Sequence, residues 1–474
     1  GTYHFRLTYE GYTQQKSNIA VADGSVVTFK TELVTVELRD SGSSYITTGA
    51  PVQYYAGTWK TFGDTDTAGY VTKELLPGSY HFKLTYEGYT QQQSNINVGS
   101  VSTVTYTTKL VTVELRDSDG AYITTGAPVK YYSGTWMTFG DTGSAGYDTK
   151  ELLPGSYHFQ LTYAGYIQQK SNVDVNVAVP LVAFATVEVT VELKDSTGAF
   201  ITTGAPVMYY SGTWMTFGNT GSSGDETLEL LPGSYHFKLT YEGYTQQISN
   251  HNVGALGTVL FETVLVKVEL RDSNTAYITT GAPVQYYAGT WYTFGGTGSS
   301  GYVTKELLPG NYHFKLSYEG YTQQKSNHNV GGTGTVTFAT VLVTVELIDS
   351  GSAYLTDGGT VQYYAGTWYS FGGTTGTGYA TKELLPGTYH FKMTYKGGTQ
   401  QKSNHNVGLD DTVTYQTGKV NDIASGKTCV SYYAGSWLSF DDGMELLPLS
   451  YQFQFSDGSK TWATVVASTY IEIL

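Results

Sequence analysis

Apolar and polar residues alternate with a period of two in a stretch that recurs along the whole chain. In one copy, residues 79–86 place Tyr, Phe, Leu and Tyr at every second position, and Ser, His, Lys and Thr at the positions that point the other way. This alternation is typical of a β-strand with one face on a core and one face in water. The preceding Pro77-Gly78 pair favours a tight turn. The pattern predicts a turn followed by a long strand over residues 80–92.

The same alternation predicts further strands around this stretch. The predicted elements, in chain order, are strands at 34–40, 50–59, 70–75, 80–92 and 101–108, a loop at 63–69 and a short strand near 95–98. Six or seven short antiparallel strands within one repeat predict a small β-sandwich.

The repeat itself gives the domain organisation. Modules begin at Val34, Val111, Val189, Val266, Val343 and Val420, a spacing of 77 or 78 residues. We therefore predict a half-module at 1–33, five β-sandwich modules at 34–110, 111–188, 189–265, 266–342 and 343–419, and a trimmed terminal module at 420–474. Residues 103–115 pass from one module to the next without a Pro, Gly or Ser linker. The predicted fold is all-β, a tandem array of small Ig-like antiparallel β-sandwiches forming a rod.

Composition narrows the function classes. Tyr (43) and Gly (57) are abundant and charged residues make up only 14%, as expected for strands and turns. The net charge of −14 disfavours nucleic acid and anionic membrane surfaces as partners, and no apolar run is long enough to predict a membrane span. The single cysteine, Cys429, excludes an intramolecular disulfide but not an oxidising compartment. We expect an extracellular or cell-surface protein.

Three segments of the module resemble a known group of surface domains. They are residues 34–40 (Val-Thr-Val-Glu-Leu-Arg-Asp), 49–52 (Gly-Ala-Pro-Val) and 69–89, which contains Glu-Leu-Leu-Pro-Gly-Ser-Tyr-His-Phe. This order resembles prealbumin-like or carboxypeptidase-regulatory-like domains and the B-type repeats of Gram-positive collagen adhesins and pilins. The resemblance implies Ig-like surface modules. In the adhesin and pilin relatives, a first-strand lysine is joined to an asparagine by an isopeptide bond. Here the first strands depart from that pattern, with lysine only at Lys194 and Lys267.

A Tyr-Tyr-x-Gly-x-Trp motif recurs once per module, first at residues 54–59. Exposed aromatic rings can stack on sugar rings, and repetition would add avidity. The candidate glycan-stacking residues are Tyr55, Tyr132, Tyr210, Tyr287 and Tyr364. The alternative, which we favour from the sequence, is that one Tyr and the Trp of each motif fill the sandwich core.

Other candidate chemistry is weak. The strand histidines, such as His81, lack the convergent spacing of a metal site, so we expect solvated side chains. Asp117-Ser118-Asp119-Gly120 resembles a calcium loop, but the corresponding loops of other modules lack its second carboxylate. No phosphate loop, zinc-protease helix or nucleophile elbow is present, so we expect no enzyme activity and no cofactor. No Asn-x-Ser/Thr site occurs, and any attached sugar would be O-linked.

The two ends differ from the middle of the chain. The half-module 1–33 would expose an apolar strand face and an unpaired edge, and residues 468–474 alternate like an opening strand. We predict head-to-tail self-assembly in which the terminal region of one copy covers the half-module of the next; the alternative is that further repeats precede Gly1. The candidate assembly residues are Tyr3, Phe5, Leu7, Tyr9, Tyr470, Ile471 and Ile473.

The function that we expect is a structural subunit of an extracellular filament or stalk. The alternatives are a carbohydrate-binding adhesin and, less favoured, a repeat-bearing fragment of a secreted hydrolase.

Overall fold

The computed structural model describes residues 1–332, 334–423 and 426–474. Over these residues the regular structure consists of β-strands and of two short 3-10 helices, Gly143–Ala145 and Gly298–Ser300. The predicted all-β fold class is confirmed.

The strands are numbered here in chain order. Residues 1–110 contain β1 (Thr2–Tyr9), β2 (Tyr12–Ala20), β3 (Glu32–Arg39), β4 (Pro51–Tyr55), β5 (Trp59–Asp64), β6 (Tyr70–Leu75), β7 (Gly78–Tyr86), β8 (Tyr89–Val98), β9 (Thr103–Thr107) and the start of β10 (Lys109–Arg116). The next strands are β11 (Pro128–Tyr132), β12 (Trp136–Asp141), β13 (Tyr147–Leu152), β14 (Ser156–Tyr163), β15 (Tyr166–Asp174), β16 (Leu181–Ala185), β17 (Val187–Lys194), β18 (Pro206–Tyr210), β19 (Trp214–Asn219), β20 (Asp225–Leu230), β21 (Gly233–Tyr241), β22 (Tyr244–Val253) and β23 (Thr258–Glu262).

Equivalent strands continue to the end of the chain. They are β24 (Val264–Arg271), β25 (Pro283–Tyr287), β26 (Trp291–Gly296), β27 (Tyr302–Leu307), β28 (Asn311–Tyr318), β29 (Tyr321–Asn329), β30 (Thr335–Ala339), β31 (Val341–Ile348), β32 (Thr360–Tyr364), β33 (Trp368–Gly373), β34 (Tyr379–Leu384), β35 (Gly387–Tyr395), β36 (Gly398–Val407) and β37 (Thr412–Gln416). The last set is β38 (Gly418–Asp422), β39 (Cys429–Tyr433), β40 (Trp437–Ser439), β41 (Met444–Leu446), β42 (Ser450–Phe455), β43 (Lys460–Thr464) and β44 (Tyr470–Ile473).

Each repeat forms two sheets that pack face to face. In module 34–110 a three-stranded sheet has the order β6-β3-β9 and a four-stranded sheet has the order β5-β4-β7-β8. The same orders recur in the later modules, including the last, which uses β41-β38-β44 and β40-β39-β42-β43. One pair per sandwich departs from the expected antiparallel arrangement, because the opening strand β3 and the closing strand β9 are parallel.

Strand alternation builds the core between the sheets. In the opening strand, Val34, Val36 and Leu38 are fully buried. Tyr54 and Phe82 face them from the other sheet and are also fully buried. Their burial removes large apolar areas from water, which supplies most of the stabilisation of the sandwich.

The long strand predicted over residues 80–92 is instead a hairpin. β7 ends at Tyr86 and β8 begins at Tyr89, and the two strands pair antiparallel across the turn. The turn residues Glu87 and Gly88 have φ values of 48° and 75°. Two successive positive φ values are typical of a type I′ turn, whose twist suits a two-residue hairpin. The prediction was wrong because glutamate at the first turn position is not a usual signal for positive φ.

The second predicted strand, 50–59, is also divided. β4 ends at Tyr55, and Trp59 already belongs to β5, which lies antiparallel to β4. The Trp of each motif therefore lies across from a Tyr on the neighbouring strand.

Packing divides the chain into two compact units. One comprises Gly1–Glu192, Pro206–Lys238 and Gln247–Leu260. The other comprises Leu193–Ala205, Leu239–Gln246 and Phe261–Leu474.

Candidate functional site

A row of three rings lies on the outer face of the four-stranded sheet of module 34–110. Tyr55 is directly opposite Trp59 on β5 and His81 on β7. Its ring centroid lies 5.5 Å from that of Trp59 and 5.8 Å from that of His81. Tyr55 is 38% exposed, whereas its neighbour Tyr54 points into the core. We call such a set the aromatic row.

The aromatic row recurs in the later modules. Its members are Tyr132, Trp136 and His158; Tyr210, Trp214 and His236; Tyr287, Trp291 and His313; Tyr364, Trp368 and His390; and Tyr433 with Trp437 in the last module. The five candidate glycan-stacking tyrosines all belong to these rows.

The expected core role of the motif tryptophans was wrong. Trp136 is 39% exposed, and Trp59 and Trp214 are half-buried on the outer face. The core position that we expected Trp59 to fill is occupied by Phe62, which packs edge-on against Tyr54 and Phe82. Trp59 is the first residue of β5 and points to the outer face. Because side chains alternate along the strand, Phe62 is the residue of β5 that is buried in the core.

The row histidines have a backbone partner and are not simply solvated. His81 Nδ1 accepts a hydrogen bond from the backbone N–H of Asn95 at 3.2 Å. Asn95 has a φ of 61° and lies where the register between β7 and β8 shifts, which is a β-bulge. The same bond joins Asn172 to His158 and Asn250 to His236. The bond fixes the ring of the histidine beside the row tyrosine.

Lysine lies beside the aromatic row. Lys83 Nζ lies 4.1 Å from the ring centroid of Trp59, and Lys238, Lys315 and Lys392 take the equivalent position over their own tryptophans at 3.7–3.8 Å. These are cation–π distances. In the last module Lys460 from β43 takes this place, 4.5 Å from Trp437.

A groove opens next to the aromatic row where two modules meet. A groove of about 340 Å³ is lined by Tyr210, His236 and Ser234 of one module and by Tyr166 of the preceding module. Ser211 also lines it, and its Oγ is buried without a hydrogen-bond partner. An equivalent groove of about 380 Å³ beside Tyr433 is lined by Trp462, among other residues. Both have the size of a small-ligand site.

The junction between modules is held by specific polar contacts. Tyr54 Oη donates to the Glu10 carboxylate at 2.8 Å and to the Glu10 carbonyl oxygen at 2.9 Å, although Glu10 belongs to the half-module 1–33. Lys73 Nζ lies 3.5 Å from the same carboxylate. The Tyr54 hydroxyl, with Lys73, lowers the pKa of Glu10. Burial raises the pKa of Tyr54, so its hydroxyl stays a donor.

The glutamate and lysine of this contact are present or absent together. The pairs are Glu10 and Lys73, Glu87 and Lys150, Glu242 and Lys305, and Glu319 and Lys382, with N–O distances from 3.1 to 3.5 Å. At the two other junctions the pair is replaced by Ala164 with Leu228 and by Lys396 with Met444. There the tyrosine hydroxyl still donates to the backbone oxygen of residue 164 or 396. Our sequence analysis missed this site, although the coupled replacements between repeats were a signal for it.

A second polar contact joins successive modules from module 34–110 onward. Glu151 accepts hydrogen bonds from the backbone N–H and hydroxyl of Ser41 and from the hydroxyl of Thr108. Glu229, Glu306, Glu383 and Glu445 make the equivalent bonds. A carboxylate that accepts several hydrogen bonds from one neighbour fixes that neighbour's orientation.

Tyrosine rings complete the junction. The ring of Tyr12 lies 4.9 Å from that of Tyr80, and a Cβ at Gly78 would lie only 2.2 Å from Tyr12 Cζ. The close approach therefore requires glycine at position 78. At the last junction the tyrosine is replaced by Gly398 and the glycine by Leu449, so the two positions change together.

The candidate assembly residues are differently placed. Tyr3, Leu7 and Tyr9 on β1 are 40–54% exposed and Phe5 is half-buried, whereas their counterparts in complete modules are largely buried. At the other end, residues 470–473 form β44, the closing strand of their own module, which lies parallel to β38. Ile473 is buried in that core, Ile471 is half-buried and Tyr470 is exposed. The tail thus forms a closing strand and not the opening type that its alternation suggested.

Other chemistry is sparse in the part of the chain that the structure describes. Burial raises the pKa of the Cys429 thiol to about 11, which leaves a poor nucleophile. No group of three His, Cys, Asp or Glu side chains in the described ranges comes together as a metal site. None of the described helices is long and apolar enough to cross a membrane.

Comparison with known proteins gives matches among solved structures. No protein-family model matches the chain, and no curated protein matches it. Among solved structures, the Bacillus anthracis TIE protein is 12% identical over 70% of this chain and 69% of its own, with a TM-score of 0.18. The pilus adhesin SpaC from Lactobacillus rhamnosus GG is 11% identical over 94% of this chain and 56% of its own, with a TM-score of 0.22. BcpA, the major pilin subunit of Bacillus cereus, is 11% identical over 66% of this chain and 99% of its own, with a TM-score of 0.17.

Proposed function

We propose that this chain is an extracellular or cell-surface structural protein, a filament subunit or stalk, whose tandem β-sandwiches are held in a fixed relation by the module junctions. The observation that carries the proposal is the junction itself. The same Tyr, Glu, Ser and Thr contacts recur between successive modules, and the residues that meet there change together. A chain of independent binding domains on flexible linkers would have no need of such matched contacts.

The described chemistry supports a structural role over a catalytic one. The buried thiol of Cys429 is protonated at neutral pH, and the carboxylates with the clearest partners, such as Glu10 and Glu151, are used between modules. Carboxylates occupied in this way are not available as general acids or bases.

Small-angle X-ray scattering of the full chain tests the structural proposal. We expect the profile of a stiff, extended particle. The matched variant replaces four junction glutamates with alanine, the residue found at the equivalent position 164. They are Glu10, Glu87, Glu242 and Glu319. This variant should scatter as a more flexible chain, and its strand content by circular dichroism should be unchanged. A parent chain that scatters as a compact or freely jointed particle would contradict the proposal.

We further propose head-to-tail self-association through the exposed face of β1 and β2. The support is the apolar character of Tyr3, Leu7 and Tyr9, whose counterparts Tyr80 and Leu84 are buried in a complete module. β44 completes the core of its own module, so the tail could be donated to another copy only if β44 left that module. Alternatively, the terminal module docks as a folded unit.

Electron microscopy and sedimentation of the full chain test the association. The parent should form fibres that a Leu7→Asp variant does not form. A Leu33→Asp variant, at an exposed leucine outside β1, is the control. A parent that stays monomeric at high concentration would exclude self-association.

A second candidate function is carbohydrate binding at the aromatic rows. The observation that favours it is the outward position of the Tyr and Trp rings, which a core role would not allow. Binding of oligosaccharides by the full chain, followed by tryptophan fluorescence, tests it.

A further inference from the structure

We propose that the aromatic rows bind acidic glycans, in which a sugar ring stacks on the row tyrosine and its carboxylate pairs with the adjacent lysine. This inference rests on the second candidate function and names its ligand class.

Every row has a lysine beside it, although the lysine comes from different positions. Three modules besides 34–110 use the position of Lys83. In module 111–188 that position is Gln160, and the lysine lies directly across the sheet as Lys130. The last module uses Lys460, from the next strand. A positive charge that is kept while its position changes indicates that the charge itself matters on this face.

Among the described residues, the outward positions on the Gln53 side of each row carry no carboxylate. The outward positions next to the row of module 34–110 are Gln53, Thr61 and Lys83. The corresponding positions are Lys130, Thr138 and Gln160; Met208, Thr216 and Lys238; Gln285, Thr293 and Lys315; Gln362, Ser370 and Lys392; and Ser431, Ser439 and Gln454. The chain carries 40 Asp and Glu against 26 Lys and Arg. The rows are therefore local basic sites on an acidic protein.

The groups around the row match the parts of an acidic sugar. The face of Tyr210 offers stacking for the C–H face of a pyranose ring. In the groove, His236 and the Ser234 hydroxyl offer hydrogen bonds for sugar hydroxyls. Lys238, 3.7 Å from the Trp214 ring centroid, supplies the charge for a carboxylate. Repetition over six rows would make a polymeric glycan a multivalent ligand.

Single-stranded nucleic acid also combines rings with negative charge, but the observations favour the glycan. Nucleic-acid grooves track a continuous phosphate backbone with many basic groups. Here each row has a single lysine, and the whole chain has a net charge of −14.

Tryptophan fluorescence of the full chain tests the proposal, because six of the seven tryptophans belong to rows. The probes are a hyaluronan decasaccharide, with a carboxylate on every second sugar, neutral chitohexaose, and a thymidine dodecanucleotide. We expect hyaluronan to change the emission at the lowest concentration. Replacing Lys83, Lys130, Lys238, Lys315, Lys392 and Lys460 with glutamine should weaken hyaluronan binding by about tenfold or more and leave chitohexaose binding unchanged.

A control variant separates specific pairing from general charge. It replaces Lys16, Lys30, Lys109, Lys194, Lys325 and Lys427 with glutamine, which changes the net charge equally away from the rows. Equal weakening in both variants, or hyaluronan binding that the row variant leaves intact, would overturn the acidic preference. If chitohexaose bound as tightly as hyaluronan, carbohydrate binding would be supported, but the preference for acidic glycans would be contradicted. Tighter binding of the oligonucleotide, or no response to either sugar, would overturn both.

Discussion

Adjacent tyrosines have opposite roles in this protein. Tyr54 is fully buried and donates its hydroxyl to the preceding module, whereas Tyr55 lies on the outer face beside Trp59 and His81. The difference follows from strand alternation, since neighbouring residues on β4 point to opposite faces. A motif of two tyrosines therefore serves a structural contact and a surface row at once.

Replacement of Trp214 by alanine is expected to cost about 1 kcal/mol or less, because the ring is half-exposed. Phe217→Ala, on the buried face of the same strand, is expected to cost about 3–5 kcal/mol. Hydrogen exchange of the peptides from β19 and β21 in the full chain measures both. If both variants lost similar protection from hydrogen exchange, the result would indicate that Trp214 contributes to the core.

Acid is expected to destabilise module 34–110 through the Glu37 cluster, in which the Glu37 carboxylate accepts hydrogen bonds from Arg39, Tyr45 and Thr105. Hydrogen bonds from Arg39, then from Thr105 and Tyr45, lower the pKa of Glu37 from 4.5 to about 2. Since the folded pKa is the lower one, the stabilisation is fully present above pH 4.5 and is lost as the pH falls towards 2. Thermal melts between pH 5 and 2 should show a smaller acid dependence in Glu37→Gln than in the parent, and an unchanged slope would argue against the cluster.

Local chain reversals organise the four-stranded sheet at the scale of the element. The turn at Glu87-Gly88 separates β7 from β8, and the bulge at Asn95 brings a backbone N–H to His81. Both features use positive φ values, which only the pairing of the two strands enforces. The hairpin tip is also the part of the module that reaches its neighbour through Glu87.

The bulge makes a matched pair of substitutions at Asn95 informative. Asn95→Val is expected to destabilise its module by about 1–2 kcal/mol, because a β-branched residue is strained at a φ of 61°. Asn95→Gly should be nearly neutral, because glycine accepts this φ and keeps the backbone N–H that His81 uses. Protection of β8 amides reports both; equal losses would show that the asparagine side chain, and not φ, matters.

At the scale of the whole molecule, the junctions repeat more faithfully than their individual residues do. Glutamate with lysine is exchanged for alanine with leucine, and tyrosine with glycine is exchanged for glycine with leucine, always as pairs. This is the behaviour expected of residues in contact, whose replacement energies are not additive.

A double-mutant cycle at Glu319 and Lys382 tests the junction. Each single change, Glu319→Ala and Lys382→Leu, should reduce the free energy of unfolding. The double variant, which copies Ala164 and Leu228, should lose less than the sum of the two by about 0.5–1 kcal/mol. Calorimetry of the full chain measures the difference, and strict additivity would show that the pair is not coupled. Added salt should shrink the coupling, because both side chains are partly exposed.

The sequence by itself determined the all-β class, the repeat and the buried faces of strands such as β3 and β7, because period-two alternation and Pro-Gly turns are local signals. It did not determine the outward position of Trp59, the turn at Glu87 or the contact of Tyr54 with Glu10. Trp59 lies at the end of a strand, where an aromatic ring can point to either face. The positive φ of Glu87 arises only when β7 and β8 pair. Contacts between residues 44 positions apart depend on how one sandwich meets the next, and that was decided by the tertiary structure.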